Sequence, residues 1–570
     1  MQSKPLWHIL TTPKHITMNA KLKTNLHYIA VASMVVFSSC GGSGEEKKAE
    51  TEQPKTEGIL LTTAEMEKAS NIYFDKCAGC HGSARKGATG PHLLPEAPEG
   101  SPAPGTKTLG EAGLRAFIEN GTPGGMPEWK GIMTDDEITL MTKFLQLDPP
   151  AIPAFGLEEM KATWKVFVPV ADRPTKPVHK RNIDNYFGVI MRDAGKVAVI
   201  DGDTKEALAV LPTGFAVHIL RTSASGRYIY SVGRDGRITM IDTYSEKPTI
   251  VAEVRGAYDA RSVEVSKFKG YEDKYLVFGG YNPAHIAIFD AQTLEPISVT
   301  STSGNACDGE KEFVEEARVA SIVASHTDPV WICNIKERGM VDIVDYSDPK
   351  NPKITEIASA RFLHDGGWDA TGKYFLVAAN ASNKVVVIDV PNKKLVTMIE
   401  TGIKPHPGRG ANIKNKLGSL WITSHLGENK ISFIKTNPGE GQWTVVKEIQ
   451  APGSGGGALF VKTHPKSKHL WVDRTLNPDA SLHSKIDVFD VETLEHKKTI
   501  DMPEGVDGRM VHMEYNKAGD ELWVSVFMGK TSGILIYNDK TLELKQIIKG
   551  DWVQNPTGKF NIYNTTHDIY

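Results

Sequence analysis

One short phrase recurs eight times between residues 197 and 538, and this repetition limits the folds that the chain can adopt. Each copy places apolar β-forming residues at alternate positions, usually ends in Asp and leads into a turn. The copies read VAVID, ITMID, IAIFD, VDIVD, VVVID, ISFIK, IDVFD and ILIYN, and they end at Asp201, Asp242, Asp290, Asp345, Asp389, Lys435, Asp490 and Asn538. Successive copies end 41 to 55 residues apart, which is room for about four strands.

A four-stranded sheet cannot bury both of its faces alone, so sheets repeated at this spacing stack on one another. The closed arrangement of such a stack is a β-propeller. The sequence therefore predicts an all-β propeller of eight blades over residues 161–570. The alternative, eight unrelated β-hairpins, does not account for so regular a spacing. The 52 Gly and 32 Pro residues suit a fold rich in tight turns.

Charge and cysteine content narrow the class of protein. The chain has 24% charged residues and a formal net charge of −3, which is typical of a soluble globular protein and predicts no nucleic-acid partner. Five cysteines occur in three settings. Two lie in a CAGCH motif, and Cys40 ends an apolar run. Cys307 and Cys333 are either a disulfide or two buried thiols, and the sequence leaves both open.

The first 40 residues have the pattern of an export signal. The stretch Tyr28–Ser39 is apolar, too short to span a bilayer comfortably, and preceded by Lys21 and Lys23. It ends in FSSC followed by GGSG, which resembles the bacterial lipoprotein cleavage box, in which the cysteine becomes lipidated. An uncleaved membrane anchor is the alternative, and Met18 is an alternative start.

We therefore expect the body of the protein on the periplasmic side of a bacterial envelope, anchored by lipid at Cys40. Residues 41–58 contain almost no apolar side chains and predict a flexible tether.

Residues 59–148 predict a small all-α cytochrome c domain, because the apolar pattern becomes helical and CAGCH is the attachment signature of c-type haem. In this motif Cys77 and Cys80 form thioethers with the haem vinyl groups, and His81 is the proximal iron ligand. A zinc site would need two further Cys or His ligands nearby, and the sequence has none there.

The sixth ligand of this iron is predicted to be Met126, in the loop GTPGGMPEW after the helical segment Glu111–Asn120. His92 is the rival ligand. Met133 and Met141 fall near or within a predicted closing helix, Thr134–Leu147, and are interpreted as core residues. Ligation by His and Met raises the potential of the iron and leaves no open position, so the domain is expected to carry electrons. A linker, residues 149–160, leads to the propeller.

Three histidines of the propeller lie in settings that the β-pattern does not explain. His218 lies in GFAVHILRT, where the first blade leads into the second, His364 in RFLHDGGWD, and His406 in KPHPGRGAN. Loops between propeller strands converge on the central axis, so several blades can hold one ligand there. Together with a haem electron donor, the three histidines indicate a single site.

These motifs carry a resemblance to a known family. CAGCH and GMPEW, followed by AVHI, SASGRY, FLHDGG, HPGRGAN and PTGKFNIYNT in this order, resemble the cytochrome cd1 nitrite reductases over residues 60–570. The resemblance implies a covalent haem c in the first domain and a non-covalent haem d1 in the propeller.

Matched position by position, the resemblance implies that His218 is the proximal ligand of the haem d1 iron and that His364 and His406 form the distal pair. Haem d1 carries several carboxylates, and a buried anion needs fixed cationic donors. The remaining residues that match the haem d1 pocket are Arg192, Arg221, Arg234, Arg261, Arg409, Ser262, Tyr281, Thr557, Gly558 and Phe560.

The chain departs from the family at two points. His512 stands where the family usually has Gln, which puts one contact to the macrocycle in doubt and adds a titratable group. The Tyr that reaches toward haem d1 from the first domain in some members has no clear counterpart.

The reaction implied is the one-electron reduction of nitrite to nitric oxide and water. Nitrite is an anion that loses one oxygen as water, so the site must supply positive charge and protons. We expect His364 and His406 to titrate near neutrality and to supply both. The expected partners are nitrite, a soluble periplasmic electron donor (a cytochrome c or a cupredoxin) and a second copy of the chain in a homodimer.

Two other functions are compatible with part of the pattern. A dihydro-haem d1 dehydrogenase of d1 biosynthesis also pairs a c-type domain with a d1-binding propeller, but retention of both distal histidines favours the reductase. A non-enzymatic, lipid-anchored cytochrome with a docking propeller would leave the inward Arg and His residues unexplained. Hydroxylamine or oxygen reduction at the same iron is a plausible side activity.

Overall fold

The computed structural model describes residues 59–87, 90–122, 126, 128–149, 154–308 and 312–570. The predicted signal peptide, Cys40, the tether 41–58 and residues 150–153 of the linker lie outside these ranges. None of the helices within them is both long and apolar enough to cross a bilayer.

The first domain is helical, as predicted. Its α1 (Thr63–Ile72) and α4 (Asp135–Leu145) each begin with a reciprocal capping box, in which a Thr and a Glu satisfy the first free amides. Between them lie a π-helical turn (Tyr73–Cys77), α2 (Ala78–His81) and α3 (Thr106–Asn120). Met133 and Met141 are buried in the domain's core, as expected.

The helix α3 begins before the predicted segment, and Gly110 interrupts its helical backbone with a φ of 62°. Glycine adopts this conformation without a steric penalty, so the chain can bend there and continue. After the first domain, α5 (Leu157–Thr163) leads to the propeller, and α6 (Ile562–Thr566) follows its last strand.

The strands of the propeller occupy most of residues 165–561. The first part contains β1 (Lys165–Val166), β2 (Tyr186–Met191), β3 (Lys196–Asp201), β4 (Ala207–Pro212), β5 (Ile219–Thr222), β6 (Tyr228–Val232), β7 (Arg237–Asp242), β8 (Thr249–Arg255), β9 (Asp259–Val265), β10 (Tyr275–Asn282), β11 (His285–Asp290) and β12 (Pro296–Ser301). The middle part contains β13 (Gly304–Asn305), β14 (Phe313–Val314), β15 (Val319–Ala324), β16 (Val330–Ile335), β17 (Met340–Asp345), β18 (Lys353–Ala358), β19 (Leu363–Trp368), β20 (Tyr374–Ala379), β21 (Lys384–Asp389) and β22 (Lys394–Glu400). The last part contains β23 (Ala411–Asn415), β24 (Gly418–Ser424), β25 (Lys430–Lys435), β26 (Val445–Gln450), β27 (Val461–Lys462), β28 (His469–Asp473), β29 (Ile486–Asp490), β30 (His496–Ile500), β31 (Arg509–Tyr515), β32 (Glu521–Phe527), β33 (Gly533–Asn538), β34 (Leu544–Ile548) and β35 (Pro556–Asn561).

These strands form eight antiparallel blades, which confirms the predicted fold class. Blade 1 is β35-β2-β3-β4, blade 2 is β5 to β8, blade 3 is β9 to β12 and blade 4 is β15 to β18. Blades 5, 6, 7 and 8 are β19 to β22, β23 to β26, β27 to β30 and β31 to β34. The strand β1 pairs with the outer strand of blade 2, and β13 and β14 form a separate small hairpin.

The recurring sequence phrase is the third strand of every blade. Its final Asp is explained by hydrogen bonding, because its carboxylate accepts a backbone N–H of the following turn. Asp242 accepts from the amide of Tyr244 at 2.9 Å, and Asp490 accepts from that of Glu492 at 2.9 Å. Such a local acceptor ends the strand and starts the turn at the same place in every blade except blade 6, where Lys435 takes this position.

Blade 1 closes the ring by joining strands from both ends of the propeller. The inner strand β35 pairs with β2 in antiparallel register, so Phe187 lies opposite Asn561. Phe187 also stacks on Trp523 of blade 8, with ring centroids 4.0 Å apart. Closure gives every blade a neighbour on each side, and the inner strands surround a central channel.

The residues Asn561–Tyr570, which we call the floor segment, contact all eight blades at one end of this channel. Partners from blades 1 to 8 are, in order, Tyr186, Thr222, Lys267, His326, Gly367, Asn412, Lys462 and Tyr515. Most of them lie at or just after the carboxyl end of an inner strand. The floor segment therefore lies across that end of the channel.

We predict that Lys267→Met destabilises the protein, because Lys267 is one of the principal ties to the floor segment. Its buried ammonium donates to Asp568 at 2.9 Å and to the carbonyl of Thr565 at 3.0 Å. Removing one partner of a buried ion pair typically costs about 3 kcal/mol. Denaturant unfolding should show this loss, while Lys269→Met, at an exposed lysine nearby, should leave the midpoint unchanged. Equal midpoints for both variants would contradict a structural role for the floor segment.

Candidate active site

The structure brings the two predicted distal histidines together. His364 is the second residue of β19, and His406 lies in the loop before β23. Their ring centroids are 4.9 Å apart at an interplanar angle of 50°. The Nδ1 of His406 donates to the carbonyl of Leu459 at 2.8 Å. This bond leaves Nε2 available to a ligand in the channel.

Asp365 lies between these imidazoles. Its Oδ2 is 3.1 Å from His364 Nδ1 and 4.0 Å from His406 Nε2. His364 Nδ1 is buried and makes no hydrogen bond to any described residue, although it faces this carboxylate. The arrangement places one anionic acceptor against both imidazoles.

Arg261 connects this group to His218. Its Nη1 donates to Asp365 at 3.0 Å, and its Nε donates to His218 Nε2 at 2.9 Å. Because a guanidinium cannot accept, His218 Nε2 carries a lone pair and the ring proton is on Nδ1. His218 therefore has the tautomer that an Nε2 metal ligand requires.

All three imidazoles are neutral at neutral pH in this arrangement of charges. Burial lowers the pKa of His364 to about 3, although Asp365 opposes the shift. Burial also lowers the pKa of His406, and burial together with Arg261 and other arginines puts the pKa of His218 well below its usual value. The expectation that His364 and His406 titrate near neutrality is therefore wrong for the site without a bound anion.

The five predicted arginines lie around the channel, and each has a carboxylate partner. Arg234 forms a two-point pair with Asp259 at 2.6 and 2.7 Å. Arg221 and Arg409 share the fully buried Glu264, at 3.0 and 3.4 Å. The two others are Arg261, on Asp365, and Arg192, which lies 3.3 Å from Asp193.

Glu264 is the shared partner of Arg221 and Arg409, so these three residues together retain one positive charge. Arg409 Nη1 is buried and has no hydrogen-bond partner among the described residues. A buried donor without a partner and an uncompensated charge are suited to a carboxylate of a bound macrocycle.

Two of the predicted residues, His512 and Phe560, belong to a cluster of aromatic rings. His512 lies between Phe460 and Phe560, with ring centroids 4.9 and 5.2 Å away, and its Nδ1 accepts from the amide of Lys559 at 3.3 Å. The Phe560 ring also lies 5.8 Å from the Arg221 guanidinium. Burial puts the pKa of His512 well below its usual value, so this departure from the family adds a neutral imidazole to the channel.

The other predicted residues lie on inner or adjacent strands. Ser262 donates to the carbonyl of Ala320 at 2.8 Å, and the Tyr281 ring lies 5.2 Å from the Arg234 guanidinium. Thr557 and Gly558 lie in β35, where a Cβ on Gly558 would approach the Phe560 ring to 2.9 Å. The sequence positions predicted for the haem d1 pocket therefore converge on one channel.

In the first domain, the geometry of His81 fits an iron ligand. Its Nδ1 donates to the carbonyl of Pro91 at 2.7 Å, which fixes the tautomer and leaves Nε2 available. Cys77 lies at the end of the π-helical turn and Cys80 lies in α2, one helical turn apart. Met126 packs against the domain's apolar core, and its carbonyl accepts from the amide of Thr122 at 2.9 Å.

The rival ligand His92 already uses both ring nitrogens. Its Nε2 donates to the carbonyl of Ala103 at 3.1 Å, and its Nδ1 accepts from the amide of Leu94 at 3.3 Å. Ligation by His92 would break one of these bonds, so the structure favours Met126.

Sequence reasoning missed the acidic members of the site. Asp365 follows His364 directly in the FLHDGG motif, so its position could have indicated a role. Glu264 and Asp259 lie in β9. The sequence signal that could have indicated their role is a charged residue within an otherwise buried inner strand. Phe460 has no signal in the sequence.

Comparison with known proteins gives two family matches. Residues 181–565 match the family described as Cytochrome D1 heme domain. Residues 64–145 match the family described as Cytochrome C oxidase, cbb3-type, subunit III.

Individual relatives extend over nearly the whole chain. The nitrite reductase of Stutzerimonas stutzeri is 49% identical over 534 residues, which cover 90% of this chain and 95% of the relative. The dihydro-heme d1 dehydrogenase of Pseudomonas aeruginosa is 26% identical over 496 residues, covering 86% and 93%. A solved structure of a dihydro-heme d1 dehydrogenase in complex with DHE has a TM-score of 0.66 at 25% identity, and covers 88% of this chain and 100% of that one.

We predict that Met126→Ala opens a coordination position on haem c, whereas His92→Gln does not. Loss of the thioether should lower the reduction potential and allow the reduced haem c to bind carbon monoxide. Potentiometry and carbon monoxide titration of the c band measure both effects. Met141→Leu, a conservative change at a buried core methionine, is the matched control. A carbon monoxide adduct in His92→Gln but not in Met126→Ala would make His92 the ligand.

Proposed function

This chain belongs to the cytochrome cd1 nitrite reductases and carries haem c and haem d1, and we propose that it reduces nitrite by one electron to nitric oxide and water. The supporting observation is that His364, His406 and Asp365 form one group that Arg261 connects to His218. In the reaction, nitrite takes up one electron and two protons, one N–O bond breaks, and the released oxygen leaves as water.

Haem d1, when bound, would supply the electron and an open iron position for the substrate. The residues that would hold it are His218, through its Nε2 lone pair once Arg261 no longer donates to it, and the arginines around the channel. Among the described residues, Arg409 Nη1 is a buried donor without a partner. Phe560 and Gly558, whose Cβ would approach the Phe560 ring, would provide apolar contact for a flat macrocycle.

His364 and His406 bind the anion and move protons. Each imidazole is neutral until an anion enters, because burial disfavours its charged form. A bound nitrite favours the charged form of the imidazole instead. An imidazole therefore takes up a proton next to the nitrite oxygen that will leave. His406 holds it on Nε2, since its Nδ1 proton is committed to Leu459. Asp365 orients His364 and stabilises the imidazolium that forms.

Electrons are proposed to enter through haem c from a soluble periplasmic donor, a cytochrome c or a cupredoxin, and to pass one at a time to haem d1. The ligand pair His81 and Met126 leaves haem c without a substrate position, which suits electron transfer.

The protein is further proposed to lie on the periplasmic side of the envelope, held by a lipid on Cys40. Membrane fractionation tests this proposal, since Cys40→Ala should move the protein from the membrane pellet to the soluble fraction. Retention in the pellet would refute the lipid anchor. We also propose a homodimer, and sedimentation of the lipid-free protein as a monomer would refute it.

The dehydrogenase alternative has a specific observation in its favour, namely a relative and a solved structure with that activity. The nitrite reductase relative is nearly twice as similar, at 49% against 26% identity. Product analysis separates the two, because the dehydrogenase would oxidise a macrocycle precursor and release no nitric oxide from nitrite. The docking-platform alternative has no support among these relatives.

We predict that His364→Ala and His406→Ala each lower the rate of nitric oxide formation by about 100-fold, because each removes a proton-donating group. The measurement is anaerobic turnover of nitrite with a reduced donor, with the spectra of both haems as a check on loading. Wild-type turnover in loaded variants would show that the protons come from elsewhere.

Nitrite binding is predicted to take up a proton and to weaken as pH rises. Above about pH 3, free His364 is neutral, whereas the bound anion favours the imidazolium. The protonated form is thus stabilised by binding, and affinity is lost as pH rises toward the pKa of the complex. The dissociation constant should increase about tenfold per pH unit. Titration of the oxidised protein across the neutral range measures this slope, and a flat profile would contradict the coupling.

A further inference from the structure

Three propeller side chains hold the segment Ala78–Ala84, which carries the haem c ligand His81. Arg318 Nη1 donates to the carbonyl of Ala78 at 2.8 Å. Ser83 Oγ donates to Asp259 Oδ2 at 2.8 Å, and the amide of Ala84 donates to Glu316 Oε1 at 2.7 Å. We call Asp259, Glu316 and Arg318 the clamp.

The clamp is built from buried groups. Asp259 and Arg318 are fully buried, and Arg318 is held in place by Glu337, which accepts from its Nε at 2.8 Å and its Nη2 at 2.6 Å. A hydrogen bond to a buried charged group is stronger than a neutral one and has a defined geometry. The clamp therefore fixes the His81 segment more closely than surface contacts such as that of Lys86 with the exposed Glu315.

Asp259 has a second function inside the propeller. The carboxylate that accepts from Ser83 also forms the two-point pair with Arg234, at 2.6 and 2.7 Å. Arg234 is one of the arginines predicted to hold haem d1. The Tyr281 ring closes the group, because it lies 5.2 Å from the Arg234 guanidinium and 5.1 Å from that of Arg318.

One carboxylate thus joins the segment of the haem c ligand to a residue of the haem d1 pocket. We propose that Asp259 is a positioning residue for electron transfer, which fixes haem c relative to haem d1 by bonding Ser83 and Arg234 at the same time. This inference rests on the proposed relay from haem c to haem d1 and names the residues that set its geometry.

Two substitutions weaken the bond between the domains, one alone and one together with the charge on Asp259. Ser83→Ala removes the bond between the domains but leaves the Asp259–Arg234 pair intact. Asp259→Asn removes the charge that serves both partners. Ser101→Ala is the matched control, because Ser101 lies in the first domain and its hydroxyl bonds to Ala103 within that domain.

The first measurement is the rate at which haem c, reduced by a light pulse in the fully loaded protein, passes its electron to haem d1. Loss of a charge-assisted hydrogen bond shifts an equilibrium by about tenfold, so we expect Ser83→Ala and Asp259→Asn to slow this step about tenfold. Ser101→Ala should match the wild type. Wild-type rates in both clamp variants would overturn the inference.

A second measurement does not depend on haem d1 or on activity. Hydrogen exchange of the backbone amides in residues 78–84 should become faster in Ser83→Ala and Asp259→Asn, in protein lacking haem d1, and stay unchanged in Ser101→Ala. Unchanged exchange in both clamp variants would overturn the inference as well.

Failure of the proposed function gives a different result. If the wild type formed nitric oxide when a small reductant reduced haem d1 directly, but passed no electron from haem c, the relay would be wrong. If it formed no nitric oxide under either condition, the reductase assignment would be wrong. Both outcomes differ from the result that would overturn the inference, in which the wild type transfers the electron and both clamp variants do so at the wild-type rate.

Discussion

Closure of the ring by β35 and β2 is the constraint on which the rest of the molecule depends. Every residue of the propeller site lies on, next to or just before an inner strand, and these strands face one another only when the ring is closed. Blade 1 is assembled from both ends of the propeller, so the site exists only after the last strand has paired. The floor segment begins at the last residue of β35 and contacts every blade. Closure of the ring therefore also places this segment across one end of the channel.

Within the closed ring, β9 connects the layers of the molecule along the channel. Asp259 bonds the haem c segment, Arg261 bonds His218 and Asp365, Glu264 holds Arg221 and Arg409, and Lys267 just beyond the strand bonds the floor segment. At about 3.3 Å per residue, these groups extend over roughly 26 Å. The buried charges are tolerated because each is paired, and the positive charge left over lies where an anionic cofactor and an anionic substrate are expected.

The architecture was accessible from the sequence because its signals are local. The spacing of the VAVID-type phrase gave the number of blades, since its Asp forms a turn bond within its own hairpin. The CAGCH motif likewise places two thiols and an imidazole on consecutive residues. The position of haem c was therefore predictable without any knowledge of the fold.

The electrostatics of the site were not accessible in this way. Apart from the neighbouring His364, the partners that give Asp365, Glu264 and Asp259 their importance lie 25 to 176 residues away in the chain. The neutrality of His364 and His406 arises from burial by several blades, which no local pattern reports. Likewise, the contacts of the floor segment appear only when eight inner strands end around it.

The central claim is that His218 lies on one side of the haem d1 iron and that His364 and His406 lie on the other, against the substrate. A crystal structure of the protein loaded with both haems and soaked with nitrite tests this claim most directly. We expect an iron ligated by His218 Nε2, with the nitrite oxygens within hydrogen-bond distance of both His364 and His406. An iron held by another residue, or a nitrite that neither imidazole reaches, would contradict it.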